Sequence, residues 1–183
     1  MKISNLLQNY INRDTGHKKI IGRYWASELS SIFGGYLKAK DYLEKKKITN
    51  PGMILTGIAN EDMLTKILKE MKVDFQEQVK LELKIKDITL VVKPDFVFKD
   101  MIWETKHAFS GKYDKYKYQL EAEYRATNKK TYLGILKTPF DLELLEYIPN
   151  DNLWEEIQEK LYAFHKEVLK YSPVENPPID NQP

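Results

Sequence analysis

Alternation between apolar and polar residues predicts several strands in the middle of the chain. Residues 79–85 alternate apolar and charged side chains throughout, which is typical of a half-buried antiparallel strand. Residues 86–87 supply a turn that leads into a strand over 88–98, which is rich in Val and Phe. Residues 99–100 supply a second polar turn before the mostly apolar run 101–106. The last two runs therefore predict a β-hairpin.

Apolar residues that recur at helical spacing predict helices before and after these strands. The predicted helices cover residues 4–11, 25–46, 56–71, 113–127 and the segment from 152 onward. Gly34 and Gly35 weaken the second of these helices, which predicts a bend or a close backbone contact there. Two further apolar runs, 131–137 and 142–148, are typical of strands. The order of elements predicts an α/β fold in which helices flank a central mixed β-sheet.

Length and composition indicate one folded unit. A chain of 183 residues with 42% hydrophobic residues can bury one core, so we expect a single domain over residues 1–171. Prolines and polar residues then predict a disordered tail over residues 172–183. No apolar run is long enough to span a bilayer, and the first residues lack the layout of a signal peptide. We therefore expect an intracellular protein with no membrane partner.

The chain contains no cysteine, and its charges nearly balance. The absence of cysteine excludes disulfides, iron–sulfur clusters and thiolate zinc sites, so any metal must be held by carboxylates, carbonyls or the three histidines. A net charge of +2 does not by itself indicate a nucleic-acid partner, although lysines cluster locally at 45–47, 112–117 and 129–130.

Two carboxylates and a lysine lie at the ends of the predicted hairpin strands. Glu104 and Lys106 are two residues apart, so they point to the same face of their strand, and Asp95 on the neighbouring strand can lie opposite them. Facing carboxylates repel unless a divalent cation lies between them, and oxygen ligands suit magnesium or manganese. The Lys106 ammonium can orient a water molecule and stabilise negative charge at a phosphate. The pattern alone is equally compatible with an edge hairpin that carries solvated charges.

A third carboxylate lies on the apolar face of a predicted helix. Glu61 shares that face with Leu64 and Leu68, and burial of a carboxylate there is costly unless it is paired or bound to a metal. In the alternative interpretation Asn60 caps the helix, while Glu61 and Asp62 interact with the N-terminal helix dipole. Glu61 is therefore either a metal ligand or a helix N-terminal residue.

The sequence Pro-Asp at 94–95, followed by Glu-Thr-Lys at 104–106, resembles the signature of the PD-(D/E)xK nucleases. The order of elements resembles, more narrowly, the RecB-type nucleases, which include exonucleases associated with CRISPR adaptation and relatives in viruses and mobile elements. This resemblance covers roughly residues 23–137. It implies a restriction-endonuclease-like core and metal-dependent hydrolysis of DNA phosphodiester bonds.

Three further elements of that family have approximate counterparts in this chain. Residues 23–30 faintly match its Arg- and Ser-containing first helix, and Glu61 stands where the family usually has histidine. Gln119 matches the glutamine of a Gln-x-x-x-Tyr element, but the tyrosine comes one residue late, at Tyr124, and Glu123 holds its place. Many members carry four cysteines for an iron–sulfur cluster, so this chain would be a cluster-free member.

The resemblance also implies roles for individual residues. Asp95, Glu104 and Lys106 would be catalytic. One or two Mg²⁺ or Mn²⁺ ions would be held by Asp95, Glu104, Glu61 and the backbone carbonyl of Thr105. The residues that would contact DNA are Gln119, Tyr124, Lys115, Lys117 and Arg23.

Contacts to phosphate position a strand but read no sequence, so the expected enzyme is an exonuclease or a structure-dependent nuclease. A helicase, a recombination protein or an integration protein would be a further partner. Two alternatives stay open. One is a site-specific endonuclease of restriction type, and the other is a catalytically silent DNA- or protein-binding module on the same fold, with tyrosines of the helix over 113–124 as stacking platforms.

Overall fold

The computed structural model describes residues 19–44, 51–107, 113–138 and 141–172. Its strands are β1 (Arg23–Trp25), β2 (Gln76–Glu77), β3 (Leu81–Ile85), β4 (Ile88–Val92), β5 (Phe96–Val97), β6 (Met101–His107), β7 (Lys130–Thr138) and β8 (Asp141–Tyr147). Its helices are α1 (Leu29–Phe33), α2 (Pro51–Glu70), α3 (Lys117–Thr127) and α4 (Asp151–Lys170). The predicted helix over 4–11 and the predicted tail beyond residue 172 lie outside the described residues.

The strands form two mixed sheets, and the helices flank them, which confirms the predicted α/β class. In the three-stranded sheet, β4 lies between β1, to which it is parallel, and β3, to which it is antiparallel. The five-stranded sheet has the order β2-β5-β6-β7-β8, and only its β6–β7 pair is parallel. A parallel pair needs a crossover connection, and α3 supplies it between β6 and β7.

The predicted strand over 88–98 is wrong in one respect, because the structure divides it between the two sheets. β4 ends at Val92 in the three-stranded sheet, and β5 begins at Phe96 in the five-stranded sheet. Pro94 lies in the break. Proline has no backbone N–H to donate to a neighbouring strand, so it is disfavoured within a continuous ladder.

The predicted helix over 25–46 is also wrong. Trp25 ends β1, and the α-helical part is only the five residues of α1. Gly34 caps this helix, and Gly35 has a φ of +74°, a conformation that glycine adopts without steric cost. The residues after it continue through a short 3₁₀ turn, Ala39–Asp41. The glycine pair therefore ends the helix rather than bending it.

The remaining predictions agree with the structure to within a few residues at their ends, except that α2 begins earlier than expected. Proline is well suited to the first position of a helix, where its missing N–H has no partner to lose, and α2 begins at Pro51. α3 is preceded by a 3₁₀ turn, Asp114–Tyr116, so the predicted helix over 113–127 starts as a tighter turn.

Helix α3 packs against both sheets, since it contacts β3 and β4 of one and β7 and β8 of the other. α4 covers the three-stranded sheet with the buried side chains of Ile157, Leu161 and Val168. Helix α2 packs Leu64 and Leu68 against the β5–β6 hairpin. In the described part of the chain, none of the helices has the length and apolar character needed to cross a membrane.

Candidate functional site

The β5–β6 hairpin brings Asp95 level with Glu104, as the sequence predicts. Phe96 pairs with Trp103, so the preceding residue of the hairpin, Asp95, lies level with Glu104. Trp103 packs on Phe98 with ring centroids 4.7 Å apart, on the opposite face from Glu104. Asp95 and Glu104 are both buried, with 8% and 2% of their surface exposed. Two carboxylates are therefore withdrawn from water at one end of the hairpin.

Asp95 is fixed by the residue next to Glu104. Its Oδ2 accepts hydrogen bonds from the backbone N–H of Thr105 at 2.8 Å and from the Thr105 hydroxyl at 2.7 Å. Thr105 is buried, with 6% of its surface exposed. These two donors orient the Asp95 carboxylate and stabilise its charge inside the protein.

Lys106 forms an ion pair with Glu104, as their shared strand face predicts. Burial lowers the pKa of Lys106, but the carboxylates of Glu104 and Asp95 raise it by more, so the net pKa lies above its ordinary value. Burial raises the pKa of Glu104, an effect that Lys106 opposes and Asp95 reinforces. The lysine is therefore a fixed cation beside Glu104, a buried carboxylate that is costly to keep charged.

Glu61 joins this site from helix α2. Burial, followed by the charges of Asp95 and Glu104, raises the pKa of Glu61 to about 7. The alternative interpretation of Glu61 as a helix N-terminal residue is wrong, because α2 begins ten residues earlier, at Pro51. For the same reason Asn60 is not the helix cap. A carboxylate in the middle of the helix has no share in the N-terminal dipole, and its neighbours here are other carboxylates.

A residue that the sequence patterns did not single out, Gln78, links Glu61 to Asp95. Its Nε2 donates to Glu61 Oε2 at 3.1 Å and to Asp95 Oδ1 at 3.1 Å. Gln78 lies in the short connection between β2 and β3. No periodicity marks such a position, so only the folded chain reveals this contact.

Helix α3 adds a fourth carboxylate, Glu123, which no pattern assigned to the site. Glu123 is fully buried, and Gln119 Nε2 donates to its Oε1 at 2.8 Å. Burial, and then the charge of Glu104, raises the pKa of Glu123 well above its ordinary value. The sequence signal was the acidic residue at the place of the family's tyrosine, which lies four residues after Gln119 and so on the same helix face.

The residues predicted to contact DNA are spread over several surfaces. Lys115 is exposed, and its Nζ lies 4.8 Å from the ring centroid of Tyr116, whose centroid is 5.8 Å from Lys106 Nζ. Gln119 is buried, with its amide directed at Glu123. Gln119 therefore contacts a carboxylate of the site, and Lys115 approaches Lys106 through the ring of Tyr116. Contact of Lys115 and Gln119 with DNA stays a prediction.

The structure does not bring the other three predicted contact residues to this cluster. Lys117 lies 5.2 Å from the ring centroid of Tyr118, and Tyr124 lies beside the guanidinium of Arg125. Arg23 lies in β1 and forms an ion pair with Glu82 of β3. A role of Lys117, Tyr124 and Arg23 in DNA binding also stays a prediction.

The donor set fits a hard divalent cation. The buried atoms Glu104 Oε2 and Glu123 Oε2 have no hydrogen-bond partner, and carboxylate oxygens are the ligands that Mg²⁺ and Mn²⁺ prefer. Across the described ranges, no three Asp, Glu or His side chains already converge in a coordinating arrangement. Hydrogen bonds from Gln78 and Lys106 occupy oxygen atoms of Glu61, Asp95 and Glu104. A cation between Glu61 and Asp95 would therefore require Gln78 to move, whereas Glu104 still offers Oε2 beside its ion pair with Lys106.

Solved structures share this fold at low sequence identity, although the sequence matches no protein-family model and no curated protein. The crystal structure of the protein SSO0001 is 16% identical and covers 94% of this chain and 89% of that chain, with a TM-score of 0.68. The alkaline exonuclease of Laribacter hongkongensis is 14% identical and covers 82% of this chain and 89% of that chain, with a TM-score of 0.62. Its complex with dAMP gives the same values. This chain therefore shares the fold of an alkaline exonuclease.

Proposed function

We propose that this chain is a divalent-metal-dependent deoxyribonuclease, with residues 1–171 as a single nuclease domain. One observation carries the proposal: Asp95, Glu104 and Lys106 meet at one end of the β5–β6 hairpin, with both carboxylates buried. Buried carboxylates that are left near one another need a cation to offset their repulsion. The fold shared with an alkaline exonuclease supports the same reaction class.

Each residue of the site has a separate proposed role in phosphodiester hydrolysis. A bound Mg²⁺ or Mn²⁺ ion would polarise the phosphate and lower the pKa of a water ligand. Asp95 and Glu104 would hold the ion, with Glu61 and the Thr105 carbonyl as further ligands. The Thr105 N–H and hydroxyl keep the Asp95 carboxylate in one orientation. Lys106 would orient the attacking water or stabilise negative charge on the phosphate.

The proposed substrate is DNA, bound without sequence readout. The Laribacter structure with dAMP supports a deoxynucleotide ligand for this fold. Lys115, beside Tyr116, would contact the phosphates that flank the scissile bond, and such contacts position a strand without reading bases. An exonuclease or a structure-dependent nuclease of RecB type fits this arrangement, acting with a helicase, a recombination protein or an integration protein.

The test is cleavage of end-labelled single-stranded, duplex and closed circular DNA in Mg²⁺, Mn²⁺ or chelator. We expect cleavage of linear DNA with either metal and none in chelator. Asp95→Asn keeps the size of the side chain but removes its charge, and we expect it to be inactive, which also controls for contaminating nucleases. Cleavage of circular DNA at one sequence would instead indicate a restriction-type enzyme. Inactivity of the wild type on every substrate would favour the silent binding module.

A further inference from the structure

Gln78 lies between two carboxylates of the site, and the proposed reaction assigns it no role. Its Nε2 donates to Glu61 Oε2 and to Asp95 Oδ1, both at 3.1 Å. A carboxamide NH₂ group has two hydrogens, so this bridge uses both of them. Only the NH₂ end can donate, so two carboxylate acceptors fix its orientation. Gln78 thereby connects helix α2 to the start of the β5–β6 hairpin.

The backbone also directs Gln78 to this position. Its φ is +55°, in the left-handed region that favours glycine and asparagine over longer side chains. Its backbone N–H donates to the carbonyl oxygen of Asp95 at 3.1 Å, so main chain and side chain both bind the same residue. A glutamine in this conformation is supported by the contacts that it makes at the site.

The location of the Gln78 amide is one where positive charge is favourable. Glu61 and Asp95 are two carboxylates that one NH₂ group bridges, so they lie close enough to repel each other when both are charged. The NH₂ group carries partial positive charge, and it binds one oxygen of each carboxylate. A divalent cation placed at the same point between Glu61 and Asp95 would bind the same oxygens.

We propose that the Gln78 carboxamide takes the place of a divalent cation between Glu61 and Asp95 in the cation-free protein, and that cation binding displaces it. Gln78 is then a positioning residue, which keeps the two carboxylates together until the ion arrives. This inference rests on the proposed metal-dependent function.

Displacement follows from the chemistry of the amide. An N–H group cannot ligate a cation, so the NH₂ end must leave if the ion takes its position between the two carboxylates. Gln78 is only partly buried and follows two exposed residues, Gln76 and Glu77, so its side chain can turn towards water. The bridge therefore stabilises the cation-free state, whereas it contributes nothing to the cation-bound state.

The test compares Gln78→Ala with the wild type by thermal melting and by Mn²⁺ titration in a calorimeter. Alanine and glutamine have a similar free-energy cost at positive φ. The substitution therefore reports on the loss of the glutamine side chain. In EDTA we expect a lower melting temperature for Gln78→Ala, because the carboxylates lose their bridge. At saturating Mn²⁺ the two melting temperatures should coincide. The Mn²⁺ dissociation constant of the variant should be about tenfold lower, since no amide has to be displaced.

Two further variants serve as controls for this comparison. Lys72 is exposed, has a φ of +57° and lies just after α2, so Lys72→Ala controls for substitution at a left-handed position away from the carboxylates. It should leave the Mn²⁺ dissociation constant unchanged. Gln78→Asn keeps an amide that tolerates the left-handed backbone but is one methylene shorter, so it cannot bridge both carboxylates. It should resemble Gln78→Ala, and it replaces that variant if Gln78→Ala does not fold.

The following outcomes would contradict the inference. An equal loss of melting temperature with and without Mn²⁺, at an unchanged dissociation constant, would make Gln78 purely structural. Weaker Mn²⁺ binding by Gln78→Ala would mean that its oxygen is itself a ligand. A wild type that shows no response to Mn²⁺ would overturn the proposed function as well, whereas a response shared equally by wild type and variants would overturn only the role of Gln78.

Discussion

At the scale of single residues, each carboxylate of the site is restrained by a different polar group. Asp95 accepts from the N–H and hydroxyl of Thr105, Glu61 accepts from Gln78, and Glu104 is paired with Lys106. One buried oxygen of Glu104 has no hydrogen-bond partner. The site is therefore held in shape without a cation, yet it retains oxygen atoms that a cation can use.

Glu61→Gln tests whether the helix carboxylate is a ligand. The substitution keeps the shape of the side chain and removes one negative charge, so we expect the Mg²⁺ concentration for half-maximal cleavage to rise steeply. Glu61→His should recover activity better with Mn²⁺ than with Mg²⁺, because imidazole suits Mn²⁺ better. The measurement is a metal titration of cleavage. An unchanged midpoint for Glu61→Gln would mean that Glu61 does not bind the metal. Asp95 and Glu104 would then remain as the proposed side-chain ligands.

Lys106→Ala tests the role of the ammonium group. A single charged group in a dry site stabilises the transition state by about 3–4 kcal/mol. We therefore expect the turnover rate to fall by a factor on the order of 10²–10³. DNA binding and metal affinity should persist. Single-turnover kinetics and a binding titration separate these effects, with Lys115→Ala as a control that should weaken binding more than turnover. Parallel losses of binding and turnover in Lys106→Ala would make it a phosphate anchor.

Among the secondary-structure elements, helix α3 carries two fully buried glutamates that have different roles. Glu123 faces Glu104, whereas Glu121 accepts from Arg125 Nε at 2.7 Å, from the Tyr147 hydroxyl and from the Asn150 N–H at 3.0 Å. Asn150 in turn caps α4, since its Oδ1 accepts from the backbone N–H of Leu153. Glu121 therefore ties α3 to the end of β8 and the start of α4.

Glu121→Ala should destabilise the protein strongly. The change leaves the Arg125 guanidinium and the Tyr147 hydroxyl without their buried acceptor, which costs about 3–5 kcal/mol. The free energy of unfolding in urea gives the measurement. Glu156→Ala removes an ion pair with Lys160 near the surface and one hydrogen bond from the Tyr118 hydroxyl, so it should cost only about 1 kcal/mol. A Glu121→Ala variant no less stable than Glu156→Ala would contradict the structural role of this network.

At the scale of the whole molecule, the site forms where the chain passes from one sheet to the other. Asp95 lies between β4 and β5, Glu104 lies in β6, Glu61 comes from α2 and Glu123 from α3. The carboxylates therefore come from four separate segments of the chain. A cation that binds them joins these elements, and it should stabilise the entire fold.

Divalent cations should raise the melting temperature. At a free Mn²⁺ concentration of about ten times the dissociation constant, the gain in unfolding free energy is about 1.4 kcal/mol. Thermal melts in EDTA and in increasing Mn²⁺ give the measurement. The double variant Asp95→Asn with Glu104→Gln should lose the response while it melts no lower in EDTA, because the repulsion between carboxylates is removed. An equal Mn²⁺ response in the double variant would place cation binding elsewhere.

Features that depend on local periodicity could be predicted from the order of the amino acids. Strands β6, β7 and β8 follow from short apolar runs and helix α4 from helical spacing, and both are local properties of the chain. The same period of two places Glu104 and Lys106 on one face, and the hairpin register then places Asp95 level with Glu104. These inferences need only neighbours in sequence or a short turn.

The residues that complete the site from distant parts of the chain can be identified only in the folded protein. The start of α2 at Pro51 excludes the interpretation of Glu61 as a helix N-terminal residue, and folding brings Gln78 to Glu61 and Asp95, each 17 residues away. Glu123 reaches Glu104 because α3 crosses back over the sheet between β6 and β7. The separation of β4 from β5 into two sheets is equally non-local. Such contacts depend on how whole elements pack, and a linear pattern of side chains carries no record of that geometry.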